Sequence, residues 1–173
     1  MSTQTSALSK FITWLPRAAL WLVLIVVILL AIGYLYQRRT TAADFAQFPP
    51  PGQRVDVGGY SLHIYCTGNG GGPTVVVDTG MGDFSTSWQG IQPEVSKSAR
   101  ICTYDRAGYG WSDSSPYPRT ATQMANELHQ LLVNAKIDPP YILVGHSLGG
   151  FTVRVIASQF PDEVAGMILV DSG

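Results

Sequence analysis

The stretch Leu143-Val144-Gly145-His146-Ser147-Leu148-Gly149-Gly150, LVGHSLGG, decides how this chain is read. It sets a G-x-S-x-G pattern between the apolar run YILVG (141–145) and LGGFTVRVIASQF (148–160), a helical segment that Pro161 stops. A serine hydroxyl is a poor nucleophile until a base takes its proton and donors stabilise the oxyanion. The small residues 145 and 149 permit a sharp turn that lifts Ser147 Oγ clear of a sheet. The helix behind it points amides and a positive dipole end at the reacting centre. Ser147 is therefore the candidate nucleophile, and the Leu148 N–H a candidate oxyanion donor. A Gly-bounded turn with a solvated serine would share these five residues, but the strand before and the helix after favour the catalytic reading.

Working outward, strands and helices alternate from Gln53 onward. RVDV (54–57) and SLHIYCT (61–67) flank Gly58-Gly59, a hairpin signal. TVVVD (74–78) is a continuous β-branched run, as expected of a strand covered on both faces. The pattern predicts a helix near Trp88–Ser98, with Pro93 limiting its first turn, and then a strand over RICTYD (100–105). Met124, Leu128, Leu131, Leu132 and Ala135 form one apolar helical stripe, with Thr120 and Gln123 spaced as a capping box. GMILVD (166–171) is the last predicted strand. A hairpin followed by alternating strands and helices implies a mostly parallel α/β sheet with right-handed crossovers.

Three motifs in this order resemble the first half of an α/β-hydrolase-fold protein, of the group that includes haloperoxidase-like esterases and proline iminopeptidases. They are VVVDTGMG after the third strand, YDRAGYGWSD (104–113) after the fourth, and GHSLGG at the elbow. The resemblance covers residues 54–173 as a partial domain and implies a serine hydrolase acting on a small-molecule ester, amide or similar acyl bond. It implies neither cofactor nor metal. In such proteins the loop after the third strand usually reads His-Gly-X, and the amide of X is the second oxyanion donor. Here Thr79-Gly80-Met81 occupies that triplet, so the Met81 N–H takes the role by resemblance. Asp105 and Arg106 fall in a loop to which the resemblance assigns structural work, bracing the elbow.

In this fold the triad follows the chain order Ser, then Asp or Glu, then His. No histidine follows His146, and the acids beyond the elbow are Asp162, Glu163 and Asp171. Asp162 and Glu163 read as solvated turn residues, which leaves Asp171, ending the sixth strand, as the candidate acid. His146 is expected to pack beside the sheet, His63 to face away on an early strand, and His129 to lie near the polar face of its helix. None of the three reads as the triad base. The catalytic histidine is expected beyond residue 173, and the chain as it stands is expected to be inactive. The alternative is a non-catalytic fragment or binding module that keeps the elbow without a triad.

Ahead of this domain, AALWLVLIVVILLAIGYLY (18–36) has no charge and is about the length needed to cross a bilayer core. Aromatic residues cluster at its ends, where interfaces favour them. The organisation predicted is a polar, disordered tail (1–13), a transmembrane anchor (14–37), a Pro-rich extended linker (38–53) and the hydrolase domain. A cleaved signal peptide, with Thr41–Ala43 as its small-residue site, competes with the anchor. The length of the run and the closing Gln37-Arg38-Arg39 favour the uncleaved form. Lys10 and Arg17 balance Arg38 and Arg39, so flanking charge does not orient the span. Charged residues make up 13% of the chain, below the roughly 25% usual in soluble domains. The net charge of −1 gives no electrostatic case for nucleic acid. The resemblance makes the strands of Cys66 and Cys102 antiparallel neighbours, which suits either a disulfide or two buried thiols. A disulfide would put the domain outside the cytoplasm, on an N-in, C-out anchor.

Overall fold

The computed structural model describes residues 4–172, with side chains from Trp14 onward, as two compact units that divide at Pro49 and Pro50. The first unit contains one helix, α1 (Gln4–Gln47), of which Trp14–Gln47 is long and apolar enough to cross a membrane. Its helical bounds differ from expectation on both sides. Residues 1–3 of the polar tail lie outside the described residues, and from Gln4 the tail is helical. The linker expected over 38–53 is helical as far as Gln47. The reason is cooperativity: once an apolar helix is nucleated, each added residue gains a hydrogen bond at little further cost, so weakly helical flanks are recruited. The helix stops where it must. Phe48 N–H donates to Asp44 O at 2.8 Å, and Pro49 disfavours helical backbone at the residue before it.

The second unit is a six-stranded sheet in the order β1-β2-β4-β3-β5-β6, built from β1 (Gln53–Asp56), β2 (Ser61–Thr67), β3 (Thr74–Asp78), β4 (Ile101–Tyr104), β5 (Tyr141–His146) and β6 (Val164–Val170). β1 and β2 pair antiparallel, as do β2 and β4. The remaining pairs, β4 with β3, β3 with β5 and β5 with β6, are parallel. The hairpin signal is explained by backbone: Gly58 and Gly59 have φ of 114° and 93°, and both donate to Asp56 Oδ1. Val76 and Val77 of β3 are fully buried, as a run without alternation requires.

The helix expected near 88–98 is two short pieces, a 3-10 turn over Ser85–Trp88 and α2 (Gln92–Val95), with Pro93 in the first turn of α2. Helix α3 (Ala121–Asn134) buries Met124, Leu128, Leu131 and Leu132, the predicted stripe. Thr120 Oγ1 accepts from the Gln123 N–H at 3.1 Å, but the Gln123 side chain turns to Glu127, so half of the capping box forms. Helix α4 (Gly149–Gln159) ends before Pro161. The core joins Leu62 and Ile64 of β2, Val76, Tyr104 and Leu143 to the inner faces of α3 and α4. β6 lies at a sheet edge, and Met167, Ile168, Leu169 and Val170 are exposed there.

Cys66 and Cys102 sit directly opposite one another across β2 and β4 and are joined as a disulfide. Of the two arrangements compatible with neighbouring strands, the structure has the bonded one.

Candidate active site

Ser147 occupies the turn between β5 and α4 with a φ of 48°, left-handed backbone that a residue bearing a Cβ adopts only when its surroundings impose it. The surroundings are tight. A Cβ on Gly145 would lie 2.6 Å from Gly150 Cα and from Val153 Cγ2. One on Gly149 would lie 2.2 Å from Asp78 O, so the start of α4 rests directly on the end of β3. The turn is held from the other side by β6: the Ser147 N–H donates to Val170 O at 3.0 Å, and Ser172 Oγ donates to Ser147 O at 2.7 Å. The contribution of Ser172 had no signal in the sequence, because it depends on β6 lying beside β5. Among the described residues Ser147 Oγ has no hydrogen-bond partner.

The loop leaving β3 carries Met81, which is 74% exposed. Among the described residues neither the Met81 nor the Leu148 amide donates to a backbone carbonyl. The loop is closed on itself by Thr79 Oγ1 donating to Asp83 O at 3.0 Å. Beneath it Arg106 is buried, and Nη1 donates at 2.6 Å both to Asp78 Oδ1 and to Thr79 O, while Nη2 donates to Gly80 O. The bracing expected of Arg106 thus falls on this loop rather than on the elbow. Burial pushes the Asp78 carboxyl above its ordinary value, against the pull of Arg106 and of the Thr152 and Tyr104 hydroxyls. A hint was present in the sequence: an aspartate closing a strand covered on both faces needs a cationic partner.

Asp105 is a separate structural hub. It accepts from the Ser85 N–H at 2.7 Å and the Trp111 N–H at 3.0 Å, and its Oδ2 lies 2.9 Å from His63 Nδ1. Burial raises the Asp105 carboxyl, but His63 and the two amides more than reverse this, leaving it below the ordinary range. Ser112 completes a serine, histidine and aspartate set that is not a triad. Its Oγ donates to Asp105 O at 2.5 Å and accepts from the His63 N–H at 2.8 Å, all of it backbone bracing.

The other histidines are engaged elsewhere. His129 stacks on Phe160 at 3.7 Å between ring centroids, with Nε2 3.1 Å from Glu163 Oε2. Glu163 is thus a partner of His129 rather than a free turn residue. His146 is half-buried over Gly80, with Nδ1 3.8 Å from Asp83 Oδ2. It packs on the loop after β3 instead of beside the sheet, because it stands at the strand's end where that loop crosses. Asp171 follows β6 in exposed, left-handed backbone with a φ of 45°. Since His146 pairs with Val170 in parallel register, Ser147 and Asp171 emerge at equivalent positions beyond two adjacent strands.

This strand–turn–helix arrangement recurs in known proteins. The family model for the alpha/beta hydrolase fold matches residues 73–172. The chain belongs to the alpha/beta hydrolase fold family. An uncharacterised protein of Bacillus subtilis is 35% identical over 115 residues, covering 66% of this chain and 46% of the relative. An uncharacterised vacuolar membrane protein of Saccharomyces cerevisiae is 35% identical over 130 residues, covering 65% of this chain and 20% of that protein. Among solved structures, a thermophilic esterase from Thermogutta terrifontis superposes with a TM-score of 0.64 at 28% identity, covering 70% of this chain and 46% of the esterase. The chain spans less than half the length of each of these proteins.

Proposed function

We propose that this chain carries the nucleophile and oxyanion side of a membrane-anchored serine hydrolase that cleaves a small-molecule ester, amide or similar acyl bond. The observation that carries the reading is Ser147 held in left-handed backbone at a strand–helix turn between two glycines that tolerate no side chain. Strain of this kind is kept where the surrounding structure over-determines it, and at this point in the fold it presents Oγ outward. In the proposed reaction Ser147 Oγ attacks the acyl carbon and its proton passes to a histidine base. The oxyanion is stabilised by the Met81 and Leu148 N–H groups; its collapse expels the alcohol or amine, which takes the proton back from the histidine, and leaves an acyl-enzyme that water then hydrolyses. Their amides, free of backbone acceptors, support the donor role. Asp171, emerging beside Ser147, is the candidate acid. The contacts of His63, His129 and His146 with Asp105, Glu163 and Asp83 support a base other than these three. A serine without its base loses most of its rate, so the proposed reaction needs a further histidine.

A second reading, a hydrolase-like module that binds without catalysis, is favoured by the absence of any partner for Ser147 Oγ among the described residues. The two readings separate by labelling with a fluorophosphonate probe. The chain extended by its downstream reading frame, and its Ser147→Ala variant, are compared with the 173-residue form. The hydrolase reading expects fast, Ser147-dependent labelling of the extended chain. Equal labelling in Ser147→Ala, or none in an extended chain that contains a late histidine, rejects it. The length and apolarity of α1 support anchoring. The Cys66–Cys102 disulfide supports an extracytoplasmic domain, since such bonds persist in oxidising compartments.

A further inference from the structure

We propose that Arg106, held by Asp78, is the positioning residue that aims the Met81 amide at the oxyanion; this rests on the reading of Ser147 as nucleophile. The argument begins with peptide geometry. The Gly80 carbonyl and the Met81 N–H belong to one planar, trans peptide unit and point in opposite directions. Whatever fixes the Gly80 oxygen therefore fixes the Met81 hydrogen. Arg106 does so from the protein interior, where Nη2 donates to Gly80 O. The Met81 N–H is thereby turned away from the interior.

One guanidinium secures three consecutive residues, the end of β3 and the start of the loop, through Asp78 Oδ1, Thr79 O and Gly80 O. Only a planar fork with several donors can do this; an ammonium is a single point charge with no fixed spread. Arg106 is itself fixed, by the Asp78 carboxylate on one side and by the Tyr109 ring, 5.7 Å from Cζ, on the other. The loop is also pinned from above, where a side chain at position 80 would meet His146 Nδ1 at 3.0 Å. Finally, the close seat of Gly149 on Asp78 O and Thr79 O registers the elbow against the same strand end. The two proposed donors, Met81 and Leu148, are thus set relative to one another through residues 78–80. The Arg106 clamp supplies the orientation of this loop.

The test uses the full chain in detergent micelles, with Arg106→Met, Arg106→Lys and Asp78→Asn variants. Residual dipolar couplings of backbone amides report N–H direction residue by residue. The Met81 coupling is expected to change in Arg106→Met while couplings along α3 stay as in wild type, with Arg106→Lys intermediate. Phosphonylation of Ser147 by a fluorophosphonate is expected to slow at least tenfold in the same variant, toward the roughly 10²-fold typical of a lost oxyanion donor. An unchanged Met81 coupling overturns the proposal, and so does a change that spreads equally through α3, which would make Arg106 a residue of general stability. If Arg106→Met does not fold, Arg106→Lys and Asp78→Asn are judged by the same couplings. Labelling is scored on the extended chain that carries a late histidine; if wild type in that form is not labelled, the nucleophile reading fails, and the couplings alone decide the clamp.

Discussion

Replacing Gly149 by alanine adds one methyl group where the first turn of α4 meets β3. Its Cβ would stand 2.2 Å from Asp78 O, 2.6 Å from Asp78 C and 2.8 Å from Thr79 O, all main-chain atoms that cannot swing aside. Reaching an ordinary contact of 3.4 Å requires α4 and the end of β3 to separate by more than 1 Å. Overpacking typically costs about 1–3 kcal/mol, and backbone on the receiving side puts this case at the upper end. Alanine returns up to about 1 kcal/mol through helix propensity, less in the first turn. The net expectation is a loss of about 2 kcal/mol, or about 8 °C in Tm for a domain of this size. The comparison is Gly166→Ala in β6, where the added Cβ meets nothing within 4 Å and stability should hold or rise by up to about 1 kcal/mol. Thermal unfolding of both variants in the same detergent measures the difference. Gly149→Ala melting at or above Gly166→Ala would refute the view that the elbow is set by this contact.

Three further expectations concern the supports of the domain. Glu127 is raised by burial, but Arg119, Tyr60, Gln123 and Ser115 outweigh that and bring it below its ordinary 4.5. A depressed acid stabilises fully above its unfolded value, and this stabilisation is lost as pH falls through the lower folded one. Tm measured against pH should therefore show Glu127→Gln converging on wild type as pH falls below the ordinary 4.5, and a constant gap would contradict this. The disulfide closes a separation of 36 residues, so Cys66→Ala with Cys102→Ala should lower the unfolding free energy by about 4 kcal/mol in urea. Coincident urea midpoints for oxidised and reduced wild type would argue against it. Thr120→Ala removes the acceptor for the Gln123 amide and should cost about 1 kcal/mol, again by urea unfolding; no loss would mean that water caps α3 equally well.

Local pattern carried most of the fold. The strands at 61–67 and 74–78, the apolar stripe of α3 and the glycine-bounded turn at Ser147 each follow from the residues that form them. What local pattern cannot hold is a decision made by neighbours. The ends of α1 depend on helix propagation rather than on the polarity of residues 4–13 or 38–47. The Gln123 side chain left its expected cap because the buried Glu127 competes for it. At the site, Ser147, Leu148 and Met81 could be singled out because turn chemistry and motif order mark them. Arg106 grips a loop 26 residues earlier in the chain, and Ser172 reaches Ser147 from 25 residues later. Those contacts exist only once strand order β4-β3-β5-β6 is known. His146 likewise reads as a neighbour of Ser147, yet its contacts are with Gly80 and Asp83.

The position of the disulfide has a mechanical consequence. Chain tension arriving from α1 enters the domain through β1, an edge strand that can peel from β2. At Cys66 the covalent bond diverts that load straight into β4 at Cys102. Everything between the two cysteines is bypassed, and that interval contains β3, Thr79, Gly80 and Met81. The loop beside Ser147 is a slack segment of the force path, so pulling on β1 leaves it undisturbed until β4 itself yields.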